Sequence, residues 1–186
     1  MTAQASSFDL KERNTFSVGF LIALSSWTLI FFTLIWGYAV YRLRSTVWLE
    51  AYITPKVLTL AVVNTAILAL SSLALRSAFK QKESGGEKFL WSGFSLGILF
   101  LFGQLKLWQS LLVNGLRWDG NIAGSFMFLL TGFHALHVIG GLIALAVLCA
   151  RFPALSQSFF ASGAKRFWDF LLVIWLVMFA LIFILK

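Results

Sequence analysis

The chain is nearly empty of the residues from which disulfides, metal centres and acid–base sites are built. Its 186 residues include one cysteine, two histidines and seven carboxylates. With Cys149 alone, no intrachain disulfide can form, and its place at the end of a long apolar run suits packing rather than redox work. Charged side chains make up 12% of the chain, which excludes an ordinary soluble domain. No glutamate falls inside any long apolar run, and the lack of a midplane carboxylate argues against autonomous proton pumping.

What the chain has in abundance is apolar surface: 60% of residues are hydrophobic and 17% aromatic. Several runs exceed the ~20 residues that cross a bilayer as a helix. The runs are continuous rather than alternating, which excludes barrel strands, and every backbone group inside them must be satisfied within its own segment. Charged and Gly/Pro-containing breaks divide the sequence into five spans, 16–41, 57–79, 89–113, 123–150 and 167–185. The first is too long for a signal-peptide core and has no small-residue cleavage site after it, so it is expected to remain as a membrane helix. The connections are short, so consecutive helices are expected to be antiparallel neighbours. The expected fold is an all-α membrane protein, one bundle of five transmembrane helices occupying residues 1–186.

Lys and Arg favour the cytoplasmic side of a membrane. Lys11, Arg13, Arg76, Lys80, Lys82, Lys88, Arg151, Lys165 and Arg166 fall on one side, against Arg42, Arg44, Lys56, Arg117 and Lys186 on the other. This bias puts the N-terminus in the cytoplasm and the C-terminus in the periplasm. The net charge of +8 then reflects basic loops facing anionic headgroups. Because the cations are dispersed, a nucleic-acid partner is not expected.

Both histidines, His134 and His137, lie near the middle of the fourth span, where an ionisable group is costly without a partner. Three residues apart, they project from the same side of one helix and cannot be opposite axial ligands of one haem. Cys149 is twelve residues beyond His137, roughly 18 Å along a helix, so a closed metal site lacks ligands. The plain expectation is a neutral imidazole bonded to a hydroxyl, amide or carbonyl on a neighbouring helix. Proton transfer, or a polar contact to a partner subunit or lipid, is the functional alternative. Gly124, Thr131, His134, His137, Gly141 and Ala144 share a stripe of small and polar residues, which favours a buried helix interface over an open water channel.

Other spans carry matching features. Gly93 and Gly97 form a GxxxG pattern on the third span, followed by Gln104 and Trp108. The second span offers Asn64, Ser71 and Leu75 on one side, with Thr65 and Ser72 beside it. Tyr38 and Arg42 are four apart near the outer interface, and are expected to anchor the first helix at headgroup level. Lys106 is expected to snorkel to the same interface. Asp169, read as lying in the first turn of the fifth helix, is expected to be stabilised by the helix dipole and by Lys165 and Arg166.

The segment Gly124-Ser-Phe-Met-Phe-Leu-Leu-Thr-Gly-Phe-His-Ala-Leu-His-Val-Ile-Gly-Gly141 resembles the signature of subunit III of haem-copper terminal oxidases, the cytochrome c and quinol oxidase family. Ser26, Phe31 and Tyr38-Ala-Val-Tyr-Arg42 resemble its first shared helix, and Asn64-Thr65 with Leu68 and Ser71-Ser72 its next. Trp91, Gly97, Phe100, Gln104, Trp108 and Gly115 follow the third, and Trp168, Phe170 and Trp175 the last. The five spans resemble the five-helix bacterial form. Two departures stand out: Ser26-Trp27 replaces a common Ser-Glu pair, and Trp168-Asp169-Phe170 with Leu172 replaces Trp-His-Phe and a later Asp.

The resemblance implies an accessory subunit of an oxidoreductase complex, with no catalytic centre, haem or metal of its own. Haem and copper are expected in partner subunits. Subunit I, where oxygen is reduced and protons are pumped, is the implied partner, with subunit II beside it and membrane lipids around them. It also implies residence in the bacterial inner membrane and a possible bound phospholipid. His134, His137, Gln104, Asn64, Trp108, Trp175, Tyr38 and Arg42 are the candidate interhelical, lipid or partner contacts. The alternatives are a subunit III-like accessory protein of nitric oxide reductase, a small proton-coupled transporter using the histidine pair as a relay, and a membrane assembly factor. No internal repeat supports the transporter.

Overall fold

The computed structural model describes residues 2–45, 48–81, 85–155 and 158–185, apart from the side chains of residues 2–13, 153 and 154. Lys82 and Lys186, both counted for orientation, lie outside the described residues, as do the side chains of Lys11 and Arg13. The helices are α1 (Thr2–Arg44), α2 (Pro55–Lys80), α3 (Gly86–Val113), α4 (Ile122–Ala150), the single-turn α5 (Phe152–Leu155) and α6 (Phe159–Phe179). A π-helical turn, Ala180–Ile184, extends α6. Among the described residues, five helical stretches are long and apolar enough to cross a membrane.

Local chemistry sets several helix ends. Pro55 occupies the first turn of α2, where its missing N–H costs nothing. At the end of α3, Gly115 takes the left-handed conformation (φ +89°). Its N–H bonds Leu112 O and that of Leu116 bonds Leu111 O, both at 3.0 Å. Asn121 caps α4 by accepting from the Gly124 N–H at 2.7 Å. Just before it, on the exposed loop, the Arg117 guanidinium holds the Asp119 carboxyl below its ordinary pKa.

Helices α2, α3, α4 and α6 close into a four-helix ring, each packed on its two neighbours, and α1 lies outside in the groove between α4 and α6. This corrects the expectation that consecutive helices pair, because α1 docks on α4 and α6 rather than on α2. The inward faces of α2 are already taken by α3 and α6, and the connection around Trp48 and Leu49 folds over the bundle end with both side chains buried. Aromatic contacts attach α1: Trp27 to Phe167 at 4.9 Å and Phe31 to Phe133 at 5.3 Å between ring centroids.

Two boundaries differ from the sequence reading. Helix α1 begins at Thr2 instead of residue 16, because no glycine or proline interrupts residues 2–18. Helix α6 begins at Phe159 instead of residue 167, capped by Ser158, whose Oγ accepts from the Ala161 N–H at 3.2 Å. Asp169 therefore lies ten residues past the start of α6, beyond the reach of the helix dipole, and its partners are on α2 instead. The bundle has two ends, called here the Arg44 end and the Lys80 end after the last residues of α1 and α2.

Candidate functional site

The interior of the ring is apolar at both ends and crossed by polar ties through its middle. Asn64 of α2 and Gln104 of α3 are buried, and Asn64 Nδ2 donates to Gln104 Oε1 at a long 3.5 Å. Trp108 Nε1 of α3 donates to Thr131 Oγ1 of α4 at 3.0 Å, while that hydroxyl donates to Met127 O. Trp175 Nε1 of α6 donates to Thr65 Oγ1 of α2 at 2.9 Å. Ser71 Oγ donates to the backbone oxygen of Gly93 at 2.7 Å, joining α2 to α3 where the glycine lets the backbones approach. Each helix of the ring is thereby bonded to at least one neighbour through a group that lipid could not satisfy.

The histidines take different positions. His134 is fully buried among Trp175, Phe100 and Phe31, with ring centroids 5.3, 6.0 and 6.3 Å away. Neither ring nitrogen has a hydrogen-bond partner among the described residues. The expected bond to a neighbouring helix is absent, because the residues packed around His134 present aromatic faces and edges. His137 bonds within its own helix, Nδ1 to Phe133 O at 2.8 Å. Its ring lines an open cavity of about 490 Å³ bordered by α1, α4 and α6, with Phe20, Trp27, Gly140 and Phe167 among the walls. Among the described residues no group of three His, Cys, Asp or Glu side chains is placed to hold a metal ion.

Of the stripe on α4, Gly124, Thr131, His134 and Gly141 are buried, whereas His137 and Ala144 are half-buried and line the cavity beside α1. Gly141 and Gly97 together make room for the Trp168 indole, which a Cβ at either position would meet at 3.0 Å or less.

Comparison with known proteins gives this geometry a family. The profile described as cytochrome c oxidase subunit III matches residues 5–186. A probable cytochrome c oxidase subunit 3 from Nocardia farcinica is 31% identical over 185 residues, covering 95% of this chain and 91% of that protein. Cytochrome c oxidase subunit 3 from Synechocystis is 33% identical, covering 89% of this chain and 72% of that protein, and that from Thermostichus vulcanus is 32% identical, covering 90% and 86%. The chain belongs to the cytochrome c oxidase subunit III family.

Both departures from the family pattern have structural occupants. Trp27, where a glutamate is common, lies edge-on to His137 at 5.6 Å and stacks obliquely on Phe167, so an indole fills the space beside the second histidine. Asp169, where a histidine is common, accepts from Ser72 Oγ at 2.6 Å and from Arg76 Nε at 3.1 Å. Read from the sequence, Arg76 counted only toward the orientation of the chain, and this cluster was missed. The signal was Ser72 and Arg76 at i, i+4, which share one face of α2.

The headgroup-level anchor expected of Tyr38 is corrected. Tyr38 is wholly buried, packs edge-on against Trp48 at 5.4 Å, and its hydroxyl donates to Leu181 O at 3.4 Å. Arg42 Nη2 pairs with Glu50 Oε1 at 2.6 Å. The folded-back connection supplies both Trp48 and Glu50, so Tyr38 and Arg42 clasp the end of α1 to the bundle, Tyr38 from a buried position and Arg42 through a pair with the exposed Glu50. Lys106 is exposed on α3, consistent with snorkelling.

Proposed function

We propose that this protein is the non-redox accessory subunit III of a bacterial haem-copper respiratory oxidase. It packs beside a subunit I that carries the haems and copper, with subunit II as a further neighbour, in the cytoplasmic membrane. The observation that carries the reading is the family match along residues 5–186, which spans every helix of the bundle. The polar ties support it physically: they hold four helices in fixed register, as a companion that braces a larger subunit requires. The Lys/Arg bias supports a cytoplasmic Lys80 end and a periplasmic Arg44 end.

Bound phospholipid belongs to the same reading. The cavity beside His137 is apolar, and at the Lys80 end it adjoins a polar recess lined by Ser17, Ser162 and Arg166. An acyl chain in the first and a phosphate in the second match both surfaces.

Purification of the tagged chain from its native membrane in mild detergent tests the assignment. A much larger polytopic subunit with haem absorbance should accompany it, while the chain produced alone should be colourless. Recovery of a homo-oligomer active in transport, with no pigmented partner, would overturn the reading.

A further inference from the structure

A second recess lies at the Arg44 end, between the first turns of α2 and the last turns of α3. It encloses about 370 Å³, and its lining includes Thr54, Lys56, Val57, Lys106, Ser110 and Asn114. Lys56 and Lys106 are both exposed, and neither forms an ion pair among the described residues. No carboxylate lines the recess, and Glu50, which precedes α2, is held by Arg42. The helix adds to the same sign of charge. The first N–H groups of α2 have no carbonyl within the helix, the Thr54 side chain does not cap them, and the helix dipole is positive there. The rim is fixed by Asn114 Nδ2, which donates to Tyr52 O at 2.8 Å and to Thr54 Oγ1 at 3.3 Å.

Depth separates this recess from an ordinary basic loop. Lys106 lies seven residues before the end of α3, roughly 10 Å below it along the axis, so its ammonium reaches up to the interface from within the apolar zone. Val57, Leu60 and Val113 complete the walls with apolar surface. Two unpaired cations above an apolar wall match a phosphodiester joined to acyl chains better than a freely dissolved anion.

We propose that this recess binds the headgroup of one anionic phospholipid from the leaflet at the Arg44 end, with the phosphodiester between Lys56 and Lys106. The inference rests on the bundle's place in a bilayer and not on the oxidase assignment, so the two fail separately. Native mass spectrometry of the full chain, titrated with phosphatidylglycerol or with phosphatidylcholine of the same acyl composition, provides the test. Wild type should prefer phosphatidylglycerol. Lys56→Gln with Lys106→Gln should weaken that binding about thirtyfold, as two cations of about 1 kcal/mol each imply. The double Arg variant should keep it, and Arg151→Gln, an exposed cation at the opposite end that lines neither recess, should leave the binding unchanged.

Equal affinity of wild type for the two lipids would overturn the proposal, as would an unchanged double Gln variant or an equal loss from Arg151→Gln. Displacement of phosphatidylglycerol by millimolar inorganic phosphate would assign the recess to a soluble anion instead. Loss of a co-purified subunit from the double Gln variant, with lipid binding intact, would assign it to a protein partner. Because the lipid preference of wild type is read independently, a variant that fails to fold does not protect the proposal.

Discussion

The indole of Trp168 stands where any side chain at Gly97 would have to go: a Cβ there would lie 2.7 Å from its Cη2 atom. Gly141 receives the other side of the same ring. Gly97→Ala should therefore destabilise the protein by about 1 to 3 kcal/mol, the usual cost of overpacking a tight core. Gly140→Ala, which meets nothing within 4 Å, is the control and should be neutral in detergent unfolding. Equal stability of the two variants would contradict the packing described.

The Thr65–Trp175 bond joins α2 to its ring neighbour α6. A double-mutant cycle with Thr65→Val and Trp175→Phe should give a coupling of roughly 0.6 to 1.7 kcal/mol, the range for hydrogen bonds between membrane helices. Additive single changes would show that the bond adds nothing.

His134 makes the opposite prediction. Both ring nitrogens lack partners among the described residues, within an aromatic cage, and a buried polar group left unbonded costs about 1 to 3 kcal/mol that an apolar one of similar size does not. His134→Leu should therefore leave the isolated chain as stable as wild type or more stable, by up to about 3 kcal/mol. A loss of stability would mean that the imidazole has a bonded partner.

The five spans were legible in the sequence because a bilayer demands long apolar runs, and the inward stripe of α4 was legible because small and polar residues repeat at helical spacing. The pairing of Asn64 with Gln104, or of Thr65 with Trp175, was not. Helical periodicity assigns a face, but the depth and neighbour of each group depend on how the helices assemble. Tyr38 misled for the same reason: tyrosine near a helix end reads as an interface anchor until a connecting segment covers it. Asp169 misled because an apolar run marks where a helix meets hydrocarbon, while its cap at Ser158 marks where it begins.

Asp169 accepts from both Ser72 and Arg76, with the carboxylate side chain 29% and the guanidinium 50% exposed. At that exposure the ion pair is substantially screened, so Asp169→Asn should cost on the order of 1 kcal/mol or less. The difference from wild type should shrink as salt is raised from 0.05 to about 1 M. A loss insensitive to salt would assign the cost to the Ser72 hydrogen bond alone.

Helix α1 has the least support of the five. Only 6% of its most apolar window is buried, and its candidate span, Asn14–Arg44, runs 31 residues with Arg42 and Arg44 in its last turn, about 46 Å along the axis against ~30 Å of hydrocarbon. A helix longer than the hydrocarbon is accommodated by tilting, kinking or local thickening of the bilayer. Since α1 forms one wall of the groove beside His137, any tilt of α1 would alter the width of that groove.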